Sequence, residues 1–316
     1  MKRIYLLAFA LCMILAINSR QAQKNKIVDK IIEIGQTDNQ TMNHLDVLCN
    51  RFGGRILGSD AYENAAEWCV AQFKKWGMET ELDEAGVLPV GFNRGPWFGR
   101  LLSENGMDLH FATPSYTSGG VDDGSGATPT MEAAGLIMAA GGKPKLTILA
   151  CLWAGEEFGL LGSKSWVEKN IKKWDNISNY FNRDGGPTVA NSLNVTEAMY
   201  DDFVKICEPL NSINPDFPFT LTKRTDEPRP RPTSAGGSDH AYFAMNGIPT
   251  VSFGTADSKG YDFNYGEIWH TERDMYNKSI PEYQNQTSVV TAVVVYGVAN
   301  LDHVLSRKGL YLEPAK

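Results

Sequence analysis

The chain has few cysteines, and they form no cluster. Cys12 lies in the apolar N-terminal segment, whereas Cys49, Cys69, Cys151 and Cys207 are far apart, have apolar neighbours and show no C-x-x-C spacing. A zinc knuckle is therefore unsupported, and buried free thiols are expected. An exported compartment would permit a disulfide, but the sequence does not indicate which cysteines would pair.

The chain also lacks an excess of positive charge and an apolar run long enough to cross a membrane. Its formal net charge is -7 over 316 residues, so no nucleic-acid footprint is expected. Residues 4–17 are almost wholly apolar, but this is short of the ~20 residues of a membrane-spanning helix. They follow Lys2 and Arg3 and precede a polar stretch that ends at Ala22. This pattern predicts a signal peptide over residues 1–22 and a mature chain that is periplasmic or extracellular.

From residue 23 onward the sequence alternates between helical and strand-like patterns, without repeats or low-complexity tracts. Helices are predicted over 25–35, 39–51, 60–76, 127–140, 160–174, 197–210 and 281–305. Strands are predicted over 79–82, 97–103, 145–153, 178–182 and 248–253. Lys145–Trp153 is nearly continuous in apolar residues, which is typical of a central parallel strand covered on both faces. The prediction is one α/β domain over 23–316, with a mostly parallel mixed sheet between helices and a site at the strands' carboxyl ends.

Carboxylates and one histidine recur where apolar runs give way to glycine. Asp122 precedes a Gly-Ser-Gly segment, Glu156 and Glu157 follow Gly155 closely, Asp184 precedes two glycines, and His270 lies in Trp-His-Thr. Each has a structural alternative: a turn for the aspartates, a helix start for the glutamates and a structural role for the histidine. Together they predict a divalent-metal site, because carboxylates gathered in one pocket repel each other unless a cation is bound.

The same segments resemble the co-catalytic zinc aminopeptidase family, which also includes glutamate carboxypeptidase II, glutaminyl cyclase and the inactive transferrin receptor. The resemblance covers roughly residues 26–306 and is carried by Val121–Gly126, Gly155–Ser163, Asn182–Gly185, Ser238–His240 and Trp269–Thr271. It implies the zinc-exopeptidase fold and a site of two zinc ions. Asp122 would bridge the ions, Glu157 and His270 would bind one, Asp184 would bind the other, and Glu156 would be the general base.

The resemblance also implies that Asp239 and His240 shape the substrate side of the site. One departure from the family pattern is that no His-x-Asp precedes Asp122, so the histidine that would bind the same zinc ion as Asp184 is missing. The chain resembles a member whose protease-associated insert domain and adjoining strand are absent at a junction near 119–120. His110 is a candidate replacement, but it lacks a partner aspartate to orient it.

These observations predict an exported zinc exopeptidase that acts on peptides and binds one zinc tightly and a second weakly or not at all. Two alternatives remain open. A single-zinc acyltransferase like glutaminyl cyclase would need only Asp122, Glu157 and His270. A non-catalytic binding domain would keep the fold alone, although the presence of Glu156 argues against it. The sequence leaves open which terminus is cleaved and the oligomeric state.

Overall fold

Helices alternate with short strands in the computed structural model of the protein, which describes residues 26–312 except 94, 96–97, 110–118 and 185. The predicted signal peptide and His110 therefore lie outside the described residues. The helices are α1 (26–37), α2 (Thr41–Asp46), α3 (Asp60–Lys75), α4 (Gly124–Ala139), α5 (Leu161–Asn170), α6 (Glu197–Cys207), α7 (His240–Met245) and α8 (Pro281–Ala299). Among the described residues, no helix combines the length and apolar character needed to cross a membrane.

The strands form small sheets with both parallel and antiparallel pairings. They are β1 (Gly99–Arg100), β2 (Asp108–Leu109), β3 (Tyr180–Asn182), β4 (Val189–Val195), β5 (Thr220–Lys223), β6 (Thr250–Ser252) and β7 (Gly254–Ala256). Strand β4 pairs in parallel with β5 and antiparallel with β7, and β3 pairs in parallel with β6. Strands β1 and β2 form an antiparallel pair. The predicted α/β class with mixed strand directions is confirmed.

The core is organised around α8, which is buried along almost its whole length. This helix packs most extensively on α4 and also contacts β4, α6 and α2. Tyr283 near its start and Val294 in its second half are fully buried. Polar side chains of its first half, such as Gln284 and Thr287, are buried as well, so α8 is a central helix enclosed on all sides. Helix α3 shows the opposite, amphipathic pattern. The Ser59 side chain accepts a hydrogen bond from the Tyr62 amide at its start, and only the Ala65, Cys69 and Phe73 face is buried.

Most predicted helices agree with the structure to within a few residues, and some change type near their ends. Helix α2 continues as a wider π-type helix over Val47–Phe52. Helices α5 and α6 end earlier than predicted, and each is followed by a 3-10 segment, Ile171–Asn176 and Glu208–Ser212. The strands predicted over 178–182 and 248–253 correspond to β3 and β6.

Two strand predictions, over 79–82 and 145–153, are wrong within the described residues, and a third is only partly right. Residues 79–82 form no strand, and the prediction over 97–103 reduces to the short β1. Lys145–Trp153 was predicted as a central strand, but no described strand pairs with it. Its side chains alternate in exposure, and Leu149 is 64% exposed, so it is not covered on both faces. A strand needs a neighbouring strand to pair with, and none of the described strands provides one for this segment.

The described residues between α3 and position 110 expose many large apolar side chains. The most exposed of them are Val87, Val90, Phe98 and Leu102, at 87%, 69%, 89% and 99%. Exposed apolar groups of this density are unusual for a monomer surface.

All four cysteines after the N-terminal segment are free thiols, and three of them are buried, as expected. Burial raises the pKa of Cys49 to about 11, so this thiol stays protonated near neutral pH.

Candidate metal centre

Asp122 stands in a tight turn that leads directly into α4. The amide of Gly124 donates to the carbonyl of Gly119 at 3.0 Å, which closes the turn. Gly120 lies against the backbone of Met275, where an added Cβ would stand 2.2 Å from the carbonyl carbon. Only glycine allows that approach. The Asp122–Asp123 peptide bond is cis. The turn hydrogen bond and the Gly120 contact hold the backbone near Asp122, whose side chain is only 7% exposed.

Glu156 and Glu157 lie in the turn between the extended segment 145–153 and α5. The amide of Leu160 donates to the carbonyl of Glu156 at 2.9 Å, and the amide of Gly162 donates to the carbonyl of Ala154 at 2.7 Å. An added Cβ at Gly162 would stand 2.6 Å from the Ala154 nitrogen, so glycine is required there. Of the two adjacent glutamates in this compact turn, Glu157 contacts His270.

His270 follows a 3-10 turn at Tyr265–Glu267 and has a positive φ of 55°. Non-glycine residues in this region are strained and concentrate at functional sites. The amide of Trp269 donates to the carbonyl of Tyr265 at 2.9 Å, and the fully buried Ile268 anchors the loop. His270 Nε2 lies 2.7 Å from Glu157 Oε2 and 3.7 Å from Asp122 Oδ2.

Three of the four predicted metal ligands therefore come together. One donor atom from each of Asp122, Glu157 and His270 lies within 4.8 Å of the others. Two carboxylates and one imidazole form a donor set suited to zinc, whose catalytic sites use three protein ligands and leave one position open. Asp184 is exposed and lies outside this set within the described residues. It is still close enough for its charge to act on both Asp122 and Glu156.

The clustered carboxylates shift one another's protonation. Burial, followed by the charges of Asp184 and Glu157, raises the pKa of Glu156 to about 7. Burial also raises the pKa of Asp122, and a hydrogen bond from the Tyr265 hydroxyl opposes that rise. For Glu157, burial and then the charge of Asp122 raise the pKa, whereas His270 lowers it. Carboxyl pKa values raised in this way around one imidazole indicate electrostatic repulsion, which a bound cation would reduce.

Asp239 and His240 lie at the start of α7, close to the acidic cluster. Asp239 is 7% exposed and accepts a hydrogen bond from the Ser163 hydroxyl at 2.5 Å. Burial raises the pKa of Asp239 to about 6 despite that bond. Burial lowers the pKa of His240, and among the described residues its buried Nδ1 has no hydrogen-bond partner. Asp184 acts electrostatically on both residues, so they belong to the same region as the predicted ligands.

Tyr265 and Asp274 are site residues that the sequence analysis missed. The Tyr265 hydroxyl bonds to Asp122, and burial followed by the charge of Asp122 raises the tyrosine pKa far above its usual value. Asp274 is 5% exposed and accepts a hydrogen bond from the Val121 amide at 2.6 Å. The signal for Asp274 was its position four residues after His270 in the same motif. Nothing in the local sequence distinguishes Tyr265 from its neighbouring aromatic residues.

A cavity of about 550 Å³ opens beside Asp184 and Tyr265. Its walls include Arg183, Phe253, Phe263 and the predicted ligand Asp184. A volume of this size accommodates an amino-acid side chain with part of the adjoining peptide. The cavity therefore offers space for a substrate on the Asp184 side of the metal cluster.

Comparison with known sequences gives one family match and several relatives. Residues 107–295 match the sequence model of Peptidase family M28. Carboxypeptidase Q of Xenopus laevis is 28% identical over 203 residues, which are 63% of this chain and 39% of that protein. Probable glutamate carboxypeptidase VP8 of Zea mays is 41% identical over 61 residues, 18% of this chain and 9% of that protein. The chain thus spans well under half the length of these curated relatives.

Among solved structures, the LapA aminopeptidase of Legionella pneumophila is similar with a TM-score of 0.59 and 17% identity, covering 90% of this chain and 75% of that one. LapB from the same organism gives a TM-score of 0.51 at 16% identity, covering 88% and 75%. At these identities the likeness concerns the fold alone. It agrees with the zinc-exopeptidase fold predicted from the sequence.

Proposed function

The chain belongs to Peptidase family M28, and from that premise we propose that it is a zinc-dependent exopeptidase that hydrolyses terminal peptide bonds. The observation that carries the proposal is the convergence of Asp122, Glu157 and His270, with Glu156 adjacent in sequence. When bound, zinc lowers the pKa of water to about 7 and polarises a carbonyl. We assign Asp122, Glu157 and His270 as ligands of one tight ion and Asp184 as a contributor to a weaker second site.

Glu156 takes the role of general base. Its carboxylate accepts the proton of the attacking water and passes it to the leaving amine. A pKa of about 7 suits both transfers, since the group can hold and release a proton near neutral pH. Asp239 and His240 border the substrate, and Ser163 fixes the Asp239 carboxylate through its 2.5 Å hydrogen bond.

The charge of the site favours the amino terminus of a peptide. Asp184, Glu156 and Asp239 act on one another electrostatically, so the site is strongly negative apart from any bound ion. A protonated α-amino group complements that field, whereas a terminal carboxylate would be repelled unless it contacted the cation. An aminopeptidase-like action is therefore the form that we propose. We also propose that the mature protein is exported, on the basis of the apolar segment at residues 4–17.

The test uses two matched peptide series with purified, zinc-loaded protein. One series has a free amino terminus and an amidated carboxyl terminus, and the other is acetylated and ends in a free carboxylate. Hydrolysis of the first series, abolished by a chelator and restored by zinc, is the expected result. Cleavage of the second series alone would show a carboxypeptidase, and failure to cleave either would contradict the proposal.

A single-zinc acyltransferase is the second candidate, because the described residues bring together one complete three-ligand set. Its discriminating reaction is cyclisation of an amino-terminal glutamine with release of ammonia. A glutamine-leading peptide that loses ammonia without cleavage would favour this candidate. Release of free glutamine would favour the exopeptidase.

A further inference from the structure

The motif from His270 to Asp274 contacts the metal cluster at both of its ends. At its start, His270 Nε2 lies 2.7 Å from Glu157 Oε2. At its end, the Asp274 carboxylate reaches the turn that carries Asp122, which is 152 positions away in the sequence. The short segment from His270 to Asp274 thus links one proposed ligand, His270, to the turn that carries another, Asp122.

Asp274 holds that turn with both of its carboxylate oxygens. Its Oδ1 accepts from the Val121 amide at 2.6 Å, and the Asp122 amide lies 3.4 Å from Oδ1 and 3.3 Å from Oδ2. The carbonyl of Asp274 also accepts from the Gly120 amide at 3.5 Å. A charged acceptor for successive backbone amides forms stronger bonds than a neutral one, and it fixes the direction of the chain.

Two further contacts clamp the same turn. The Arg55 guanidinium donates to the carbonyl of Gly119 at 2.9 Å. Gly120 packs directly against the backbone of Met275, with no space for a side chain. The position of the Asp122 backbone therefore follows the position of residues 274–275, and through them that of His270.

We infer that Asp274 is a positioning residue for the metal site, which sets the geometry of Asp122 relative to His270 without touching the ion. The inference rests on the proposed zinc site. Partners that orient metal ligands typically contribute about 10–100-fold to metal affinity when they are removed. Zinc affinity and ligand geometry should therefore respond to Asp274, whereas a purely structural role would alter only stability.

The experiment compares Asp274→Asn and Asp274→Ala with a control at another buried carboxylate. Glu132 is 4% exposed, and its Oε1 accepts a hydrogen bond from the Gln40 amide at 3.0 Å. It lies about two turns further along α4, on the order of 12 Å from the start of that helix. Glu132→Gln therefore perturbs a similar buried bond without touching the turn of Asp122.

Zinc affinity is measured by competition with a chromogenic chelator, and site geometry by the visible absorption of the Co²⁺-loaded protein. Both Asp274 variants should bind zinc about 10–100-fold more weakly and show an altered Co²⁺ spectrum. Glu132→Gln should lower the unfolding temperature but keep the parent zinc affinity and spectrum. If Asp274→Ala does not fold, Asp274→Asn, which keeps the size and one acceptor oxygen, carries the test.

Parent-like zinc affinity together with a parent-like Co²⁺ spectrum in Asp274→Asn would overturn the inference, whatever the peptidase assays show. A parent that binds zinc but cleaves no peptide would contradict the proposed function, and the Asp274 comparison would remain decisive. A parent protein that binds neither Zn²⁺ nor Co²⁺ would overturn both the inference and the proposed function.

Discussion

Replacing Glu156 with glutamine separates the roles of two adjacent glutamates. The substitution keeps the shape of the side chain but removes the carboxylate that we assign as the proton acceptor. Glu156 lies outside the group formed by Asp122, Glu157 and His270, so zinc binding should be retained. Loss of a general base reduces turnover by about 10²–10⁴-fold, and we expect kcat to fall by that factor.

The same substitution should stabilise the metal-free protein at alkaline pH. Burial and neighbouring charges raise the pKa of Glu156 from 4.5 to about 7, so its ionised form is unfavourable in the folded state. A shift of this size corresponds to about 3 kcal/mol at full strength. Solvent screening of a half-buried group reduces it to on the order of 1 kcal/mol. At pH 8.5 the metal-free Glu156→Gln variant should therefore unfold about 1–2 °C above the parent.

Glu157→Gln is the matched control, because it removes one negative charge from the same turn. It also removes a predicted zinc ligand, so it should lose both zinc and activity. The assays are zinc content after dialysis, hydrolysis of aminoacyl-nitroanilides, and thermal unfolding in the presence of a chelator. Turnover by Glu156→Gln at the parent rate would refute the assignment. Loss of zinc equal to that of Glu157→Gln would show instead that Glu156 is a ligand.

Three other predictions concern metal occupancy, pH and export. His270→Ala should abolish tight zinc binding whereas Asp184→Asn should preserve it, and calorimetry that finds two equally tight sites in the parent would contradict the predicted asymmetry. The metal-free protein should become more stable as pH falls from 8.5 to 6.5, because the raised pKa values of Glu156 and Asp239, about 7 and about 6, make the folded state bind protons more readily than the unfolded chain. With zinc bound the trend should reverse, so that the unfolding temperature falls as pH falls from 8.5 to 6.5. Protein from the native host should lack residues 1–22, and N-terminal sequencing that finds them would exclude cleavage.

The helices were predictable because periodicity and end signals agree along them. In α3, Ser59 marks the start, Ala65, Cys69 and Phe73 form the buried face, and Gly77 follows the end with a φ of 83°. Strands were less predictable. The segment Val189–Val195 contains two asparagines and a serine, so no apolar run revealed β4, although several of its side chains are buried. Thr220–Lys223 is largely exposed and carries even less signal.

The residues whose side chains form the candidate ligand group were predictable from the sequence. The residues that hold the group, Asp274 and Tyr265, were missed. Residue type and the family resemblance made Asp122, Glu157 and His270 candidate ligands, and the structure brings their side chains together. Asp274 acts on the amides of a turn distant in the sequence, and its position near His270 does not by itself reveal that contact. The role of Tyr265 likewise depends on a tertiary hydrogen bond to Asp122. Sequence patterns report local geometry, whereas these contacts arise only when two loops meet.

The failed strand prediction at Lys145–Trp153 and the proposed asymmetry of the metal site both relate to one feature of the sequence. The family pattern places a strand ending in His-x-Asp before the bridging aspartate, and here Gly119-Gly120 runs directly into Asp122 from Thr-Pro-Ser-Tyr-Thr-Ser. Such a strand would have supplied both a pairing partner for a neighbouring strand and an imidazole ligand on the Asp184 side. Among the described residues, Leu149 is 64% exposed and Asp184 lies outside the group formed by Asp122, Glu157 and His270. The tight zinc site that we propose needs only that group, whose turns are held by backbone hydrogen bonds, so we expect it to bind zinc without the His-x-Asp motif.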